Sequence, residues 1–195
     1  MQYVDPLMGS AIGGNVFAGA SLPYGMAKAV ADSQPSINQG GCSYGGDKIT
    51  GFSNMHDSGT GGLPSLGNLT LFPWGSCKDD EVDGCVYTKK NRPTNYIDGS
   101  VKASPGYFGL TSKSGIRAGM TAAHHTSLFR FCFPTAADAT GRALSPLILM
   151  DLTVEYSYEG FPISQVTRGL RRTEDAEKYD ATLSYLSISY SFAQR

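Results

Sequence analysis

Residues 127–134 read SLFRFCFP, and this stretch decides the fold class. In an extended chain, the three phenylalanines point to one side, whereas Leu128, Arg130, Cys132 and Pro134 point to the other. Three aromatic rings on one side, with a charge on the opposite side, are typical of a half-buried strand. The sequence therefore predicts a β-strand whose phenylalanine side faces the core.

Further strand-like runs occur on both sides of this stretch. Residues 66–73 (LGNLTLFP), 107–111 (YFGLT) and 116–123 (IRAGMTAA) alternate in the same way, and 144–152 (LSPLILMDL) reads as a fully buried strand. Glycine and proline separate these runs. Several short strands at this spacing, without alternating helices, predict an all-β fold, an antiparallel β-sandwich.

The composition changes from Val154 onward, where serine, tyrosine and charged residues become frequent. Residues 171–186 carry carboxylates near their start and some helical spacing, and residues 184–195 alternate like a strand. We therefore expect a β-sandwich domain over residues 1–153 and a divergent tail of uncertain structure over residues 154–195.

The charge balance bears on the kind of ligand. The 195 residues include 16 basic and 17 acidic side chains, and no basic patch of the kind that nucleic-acid binding requires is visible. Few charges together with 11% aromatic residues and 24 glycines fit a neutral polar ligand, such as a sugar, better.

No run approaches the roughly 18 apolar residues of a membrane-spanning helix. The N-terminus, MQYVDPLMGS, lacks the basic start and the apolar stretch of a secretory signal. We expect no membrane association, and either a signal already removed or an intracellular chain.

Four cysteines are present: Cys42, Cys77, Cys85 and Cys132. The segment CKDDEVDGC between Cys77 and Cys85 has a length that suits a small disulfide hairpin, and the alternative is four free thiols. Zinc is not expected, because the cysteines and histidines lack its usual ligand spacing. Asn68 begins an N-glycosylation sequon, Asn-Leu-Thr.

The stretch GFSNMHDSGTGG, residues 51–62, gathers polar side chains among glycines. One interpretation is a rigid loop that presents hydrogen-bonding groups to a polar ligand. The other is a loop that satisfies its own backbone through Asp and Ser side chains. The residues alone leave both open.

Three other chemistries are disfavoured in that loop. His56 and Asp57 are adjacent, and neighbouring residues on one loop seldom bind one metal ion. The Walker pattern for phosphate is absent, and Ser58 lacks the G-x-S-x-G elbow of a hydrolase nucleophile. His124 and His125, between two strand-like runs, are more typical of an exposed turn than of a metal site.

Four segments in order resemble one family. They are DPLMGSAIGGNVFAGASLPYGM, GFSNMHDSGTGGLPSLGNLTLFP, ASPGYFGLTSKSGIRAGMTA and HTSLFRFCFP. Together they resemble the N-terminal domain of glycoside hydrolase family 92, the calcium-dependent, exo-acting α-mannosidases, over roughly residues 3–153. The central segment, with MHDSGTGG, resembles fungal members.

The resemblance implies half of a galactose-mutarotase-like supersandwich, packed on a C-terminal (α/α)₆ barrel with the active site between them. It implies an inverting mechanism on mannose-containing glycans of the N-glycan type. The catalytic carboxylates and most calcium ligands are expected in the barrel, which this chain lacks. Within this chain we expect no catalytic residue and no metal ligand.

The resemblance also implies that the glycine-rich loop completes a mannose pocket. The substrate-binding candidates are His56, Asp57, Ser58, Gly59, Thr60 and Tyr44. Inversion needs two carboxyl groups with room for a water molecule between them. Asp47 and Asp57 are candidates only by proximity to the loop, and no pair in the chain has a claim to that role.

Three departures from the family pattern stand out. Asn54 occupies a position that is usually histidine, and asparagine cannot titrate near neutral pH. Gly119 replaces a usual glutamate, which removes a carboxylate and weakens the strand. The match decays after Thr153.

We therefore expect the chain to be a carbohydrate-binding N-terminal domain of an α-1,2-mannosidase-like enzyme that does not cleave glycans alone. The alternatives are a free-standing carbohydrate-binding module and a non-functional truncated remnant. Secretion is the habit of the family, and a cytoplasmic location is the alternative because the chain shows no signal.

Overall fold

A computed structural model describes most of the first 151 residues. The described residues are 4–11, 14, 16–34, 40–42, 48–54, 56, 70–134 and 146–151, with the backbone alone for 157–158, 161–162, 168–172 and 180–185.

The first sheet has five antiparallel strands in the order β1-β2-β3-β8-β11. Their bounds are β1 Val30–Gln34, β2 Lys48–Ser53, β3 Thr70–Trp74, β8 Leu147–Asp151 and β11 Arg168–Arg172. The second sheet also has five antiparallel strands, in the order β12-β7-β6-β5-β4. Its bounds are β4 Lys102–Ser104, β5 Tyr107–Thr111, β6 Arg117–Ala122, β7 Ser127–Cys132 and β12 Asp180–Tyr185.

The two sheets pack face to face around an aromatic and aliphatic core. Phe129 and Phe131 of β7 are fully buried, and Phe131 meets Phe52 of β2 with 5.3 Å between the ring centroids. Leu128 and Arg130 are exposed on the opposite side of β7. The all-β sandwich and the alternation of β7 are therefore confirmed.

The predicted tail contributes backbone to both sheets. β11 pairs with β8, β12 pairs with β7, and a two-residue hairpin joins β9 Ser157–Tyr158 to β10 Phe161–Pro162. Residues 180–185 are thus extended, although we expected some helical character there, because pairing along β7 overrides a weak local spacing. The domain boundary near residue 153 stays a prediction.

Buried Arg92 closes the outer side of the first sheet. Its guanidinium donates to the carbonyl oxygen of Thr50 (2.7 Å), to that of Tyr87 (3.0 Å) and to the carboxylate of Asp151 (2.6 Å). It also lies 5.6 Å from the centroid of the Phe72 ring. The sequence predicted a half-buried strand at β3, but four of its five residues are buried. The reason is that Arg92 covers the face of β3 that points away from the second sheet.

The segment that precedes Arg92 is braced by a covalent bond. Cys77 and Cys85 form a disulfide around two 3₁₀ turns, Lys78–Asp80 and Val82–Gly84. Cys42 and Cys132 are not part of a disulfide bond. Across the described part of the chain, no helix is long and apolar enough to cross a membrane.

Candidate functional site

The glycine-rich loop leaves the first sheet at the end of β2, where a buried histidine ties it to β1. The Nε2 atom of His56 lies 2.7 Å from Oδ1 of Asp32, and its Nδ1 lies 2.9 Å from the carbonyl oxygen of Lys28. Only 7% of His56 and 9% of Asp32 is exposed. The start of the loop is therefore held in place by buried polar contacts.

Two hydroxyl groups complete the coordination of the Asp32 carboxylate. Ser53 donates to Oδ1 at 2.8 Å, and Thr70 donates to Oδ2 at 3.3 Å. Since Ser53 and Thr70 belong to β2 and β3, the carboxylate of Asp32 connects three adjacent strands. Buried polar groups are stable when they are hydrogen-bonded in this way.

The hydrogen-bond directions of the pair follow from its neighbours. A carbonyl oxygen only accepts, so Nδ1 of His56 donates to Lys28. The other ring nitrogen, Nε2, faces a carboxylate oxygen of Asp32. Burial alone would raise the pKa of Asp32, but the hydrogen bond and charge of His56, with the Ser53 hydrogen bond, lower its pKa below the ordinary value.

The three side chains do not form a catalytic triad. In a triad the carboxylate and the nucleophile lie at opposite nitrogens of the histidine. Here Ser53 (3.3 Å) and Asp32 both lie at Nε2, and the carbonyl of Lys28 occupies Nδ1. The histidine therefore cannot relay a proton from Ser53 to the carboxylate, and the arrangement is one that positions the loop.

Two glycines leave room for this network. A Cβ atom at Gly51 would lie 2.0 Å from Cγ2 of Thr70, the residue whose hydroxyl reaches Asp32. A Cβ atom at Gly41 would lie 3.0 Å from Cδ2 of His56, and the φ of Gly41 is +90°, which disfavours other residues. The glycines thus have a packing role around the histidine.

Asn54 connects the end of β2 to the second sheet. Its side-chain oxygen accepts a hydrogen bond from the hydroxyl of Ser127 in β7, and its backbone oxygen accepts one from the Lys28 amide at 3.1 Å. Asn54 is almost completely buried. An amide suits a position that needs a neutral acceptor inside the protein.

The same end of the sandwich exposes two large side chains. The amide of Met26 donates to the carbonyl oxygen of His124 at 2.7 Å, so the N-terminal segment meets the β6–β7 turn. Met26 is 74% exposed, and Tyr24, two residues before it, is fully exposed. This apolar end, defined by Tyr24 and Met26, adjoins the start of the glycine-rich loop through the Lys28–Asn54 hydrogen bond.

The remaining predicted site residues have no described position. Asp57, Ser58, Gly59, Thr60, Tyr44, Asp47 and Asn68 all lie outside the described residues. His56 is described, and both of its ring nitrogens bond to protein atoms, so its contact with a ligand stays a prediction. His124 and His125 lie exposed in a turn, with 6.4 Å between their ring centroids.

Asp32 was not predicted as a site residue. It lies in VADSQ, where aspartate and serine are typical of turns, although the segment forms β1. Asp32 pairs with Gly51 across β1 and β2, and a carboxylate opposite a glycine is the available signal for this network. It becomes visible only when the register of the two strands is known.

Comparison with known proteins identifies relatives. Residues 3–184 match the sequence profile described as the glycosyl hydrolase family 92 N-terminal domain. An uncharacterized secreted glycosidase of Arthroderma benhamiae is 52% identical over 154 residues, which are 78% of this chain and 20% of that protein.

Solved structures of the same family share the fold. A family GH92 α-mannosidase from Bacteroides thetaiotaomicron, solved in complex with mannoimidazole, is 26% identical with a TM-score of 0.60 over 78% of this chain. An inverting GH92 mannosidase from the same bacterium is 19% identical with a TM-score of 0.56 over 76% of this chain. The chain spans about a fifth of the length of each of these relatives (20%, 19% and 19%).

Proposed function

Since the chain belongs to glycoside hydrolase family 92, as an N-terminal domain of that family, we propose that it supplies one wall of a mannose pocket in an exo-acting α-mannosidase. The observation that carries this proposal is the buried Asp32–His56 pair, with Nε2 and Oδ1 2.7 Å apart, at the start of the glycine-rich loop. A loop fixed at its base by an ion pair and two hydroxyl groups is suited to present side chains in one arrangement.

The loop has two parts in this proposal: a base that holds it in place, and a following part that contacts the sugar. His56 is the positioning residue, because Asp32, Ser53 and the Lys28 carbonyl surround its nitrogens. The groups that meet the sugar follow it: Asp57, Ser58, Gly59 and Thr60, with Tyr44 as an aromatic neighbour. Carboxylate, hydroxyl and backbone groups are the partners that sugar hydroxyls require.

The substrate class follows from the relatives. We propose mannose-containing glycans with terminal α-1,2-linked residues, of the kind found on N-glycans. Support comes from the related bacterial α-mannosidase that was solved with mannoimidazole.

We propose that cleavage uses groups outside the described residues. An inverting hydrolase needs one carboxylic acid and one carboxylate with a water molecule between them. Asp32 is buried and already accepts from His56, Ser53 and Thr70, so it is not available to activate water. We propose that the acid and base lie in a barrel domain that packs against the apolar end, where Tyr24 and Met26 offer an unburied surface.

Calcium binding is expected only from membership of the family. Within the described ranges, no group of three or more His, Cys, Asp or Glu side chains could hold a metal ion. These residues therefore do not fit a calcium site, and no step is assigned to the ion here.

The proposed location is extracellular. The fungal relative is described as secreted, and a disulfide such as Cys77–Cys85 persists in oxidising compartments.

Calorimetry and a cleavage assay test the proposal together. The chain should bind methyl α-mannoside, Asp57→Ala should weaken that binding, and neither protein should release mannose from α-1,2-mannobiose with calcium. Release of mannose by the chain would show that it holds a catalytic pair, which contradicts the division proposed here. Equal binding of methyl α-mannoside and methyl α-galactoside would contradict a mannose pocket.

A further inference from the structure

A cavity lies where β2 and β3 diverge. Phe52 of β2 pairs with Leu71 of β3, but further along β2 the backbone of Ile49 exchanges two hydrogen bonds with Thr94, of 2.8 and 2.9 Å. Because β1 occupies the other edge of β2 at Ile49, Thr94 takes the side on which β3 would otherwise lie. The first sheet is therefore split at this end, and residues from both sides of the split line a cavity of about 250 Å³.

The walls of the cavity are apolar and its rim is polar. Buried side chains of both sheets form the walls, among them Ile49, Phe52, Leu110 and Ile116. Ser76 and Ser114 also line the cavity and are exposed, so the cavity opens to solvent beside their hydroxyl groups. No charged residue is among the described residues that line it. This lining suits a neutral molecule with an apolar body and one polar end.

The surroundings of Gly75 show how much space is open. Gly75 lines the cavity, and a Cβ atom added to it would meet Cδ1 of Ile116 at 3.9 Å, with no other atom of the described residues listed within 4 Å. Protein interiors are packed with few gaps larger than a water molecule, so a cavity among apolar side chains is unusual. An apolar cavity of about 150 Å³ accommodates benzene, so the larger cavity here has room for a substituted ring.

One of the lining residues has a hydrogen-bond donor without an acceptor. Trp74, the last residue of β3, lines the cavity, and its indole Nε1 atom is buried. No described residue accepts a hydrogen bond from this atom. A buried donor that lacks an acceptor destabilises the folded chain, and such groups call for an explanation. An oxygen atom of a ligand in the cavity is an acceptor that would remove this cost.

We propose that this cavity binds a small neutral aromatic alcohol. The ring of the ligand packs against Phe52 and the aliphatic walls, and aromatic rings pack well against one another. The hydroxyl oxygen of the ligand accepts a hydrogen bond from the indole N–H of Trp74. A carboxylate on the same ring is disfavoured, because no cation lines the cavity to compensate for the loss of its hydration.

The cavity is separate from the proposed mannose pocket. Thr70, whose hydroxyl donates to Asp32, begins β3, whereas Trp74 ends that strand. Four residues of extended chain span roughly 13 Å, so the two sites lie at opposite ends of the strand. The cavity therefore gives the chain a second binding site, for a ligand of different chemistry, and each site is tested without the other.

Calorimetry measures binding of the whole chain to three probes: 4-methylphenol, toluene and benzoate. Toluene lacks the hydroxyl group, and benzoate carries a charge. We expect 4-methylphenol to bind saturably, toluene to bind roughly threefold to tenfold more weakly, and benzoate to bind at least roughly tenfold more weakly. Trp74 is the only tryptophan in the sequence, so its indole ¹H–¹⁵N signal is unique and should shift when 4-methylphenol binds.

Variants separate the space from the hydrogen bond. Gly75→Leu should abolish binding of 4-methylphenol, because the new side chain occupies the open space beside Gly75. Ser104→Leu adds the same side chain at an exposed position of β4, so it is the matched control and should bind as the unchanged chain does. Trp74→Phe keeps an aromatic ring but removes the N–H donor, so it should weaken binding of 4-methylphenol roughly threefold to tenfold and leave that of toluene unchanged.

Three results would overturn the proposal. They are no saturable binding of 4-methylphenol, equal or tighter binding of toluene or benzoate, and unaltered binding by Gly75→Leu when its thermal unfolding matches that of the unchanged chain. A higher unfolding temperature for Gly75→Leu, with no 4-methylphenol bound by the unchanged chain, would show that the cavity is an empty packing defect. If Gly75→Leu does not fold, Ala118→Leu fills the cavity from the second sheet. Binding of methyl α-mannoside, measured on the same variants, reports separately on the proposed mannose pocket.

Discussion

At the scale of single residues, the decisive contact is between a histidine and an aspartate. His56 and Asp32 are both almost completely buried, and an ion pair in that setting is stable only when other hydrogen bonds satisfy its remaining atoms. Ser53, Thr70 and the Lys28 carbonyl supply those bonds. Removing one partner leaves the other buried group without its hydrogen bond, and this asymmetry makes the pair testable.

Asp32→Asn should lower the free energy of unfolding at pH 7 by roughly 3 kcal/mol, because it leaves His56 without its anionic partner. The pKa of Asp32 is lower in the folded chain than in the unfolded chain. The unfolded chain therefore binds more protons below pH ~4, and the contribution of Asp32, complete above that pH, is lost as the pH falls through the folded pKa. Urea unfolding of both proteins between about pH 3 and pH 7 measures this difference.

The difference between the two proteins should narrow as the pH falls, since protonation of Asp32 imitates the substitution. A constant difference over the whole range would contradict an ionised Asp32 in the folded chain.

Gly51→Ala tests the packing of the same network. The new Cβ atom would lie 2.0 Å from Cγ2 of Thr70, so the free energy of unfolding should fall by about 1–3 kcal/mol as the strands shift. Gly75→Ala is the matched control, because its Cβ atom would meet only Cδ1 of Ile116, at 3.9 Å. Equal thermal unfolding of the two variants would show that the space above Gly51 is not needed.

At the scale of the strands, the sequence predicted those elements whose side chains alternate cleanly. β5, β6 and β7 were predicted because each carries apolar residues on one face and polar residues or glycine on the other. β1 and β2 were missed, since VADSQ and KITGFS place Asp, Ser and Gly inside strands. Those residues form or leave space for the buried network around Asp32. The network depends on the register between strands, so a short stretch of sequence does not predict it.

The candidate site was predicted in part for the same reason. The glycine-rich loop and His56 stood out as a cluster of polar residues, and the family resemblance gave them a role. Asp32 is 24 residues away from His56 in the chain, and their contact exists only after β1 pairs with β2. The sequence pattern offered no link between them.

Phe131→Ala measures how much the buried face of β7 contributes to the free energy of unfolding. Phe131 is fully buried against Phe52, so the substitution should reduce the free energy of unfolding by about 3–5 kcal/mol. Leu128→Ala, on the exposed side of the same strand, should change it by less than about 1 kcal/mol. Urea unfolding measures both, and similar losses for the two variants would contradict the assigned faces.

Arg92→Ala tests the cover of the first sheet. The substitution removes the guanidinium from the Asp151 carboxylate and uncovers Phe72, so the free energy of unfolding should fall by about 3–5 kcal/mol. Arg92→Ala combined with Asp151→Asn should recover part of that loss, because the buried negative charge that faced Arg92 is gone. The absence of any recovery in thermal unfolding would show that Asp151 is not coupled to Arg92.

At the scale of the whole molecule, the two sheets place different chemistry on different surfaces. The end of the sandwich near β2 holds the fixed base of the glycine-rich loop beside exposed Tyr24 and Met26. The outer face of the second sheet exposes Leu128 and Arg130 of β7. The chain spans about a fifth of the length of the fungal glycosidase (20%).

The most direct test of the central claim is a two-dimensional ¹⁵N NMR titration of the chain with methyl α-mannoside, with methyl α-galactoside as the control. We expect the mannoside to shift amide signals of residues 56–60 in a saturable way, the galactoside to leave them unchanged, and Asp32→Asn to abolish the effect. Saturable shifts that leave residues 56–60 unchanged, or no mannoside binding at any concentration, would contradict it.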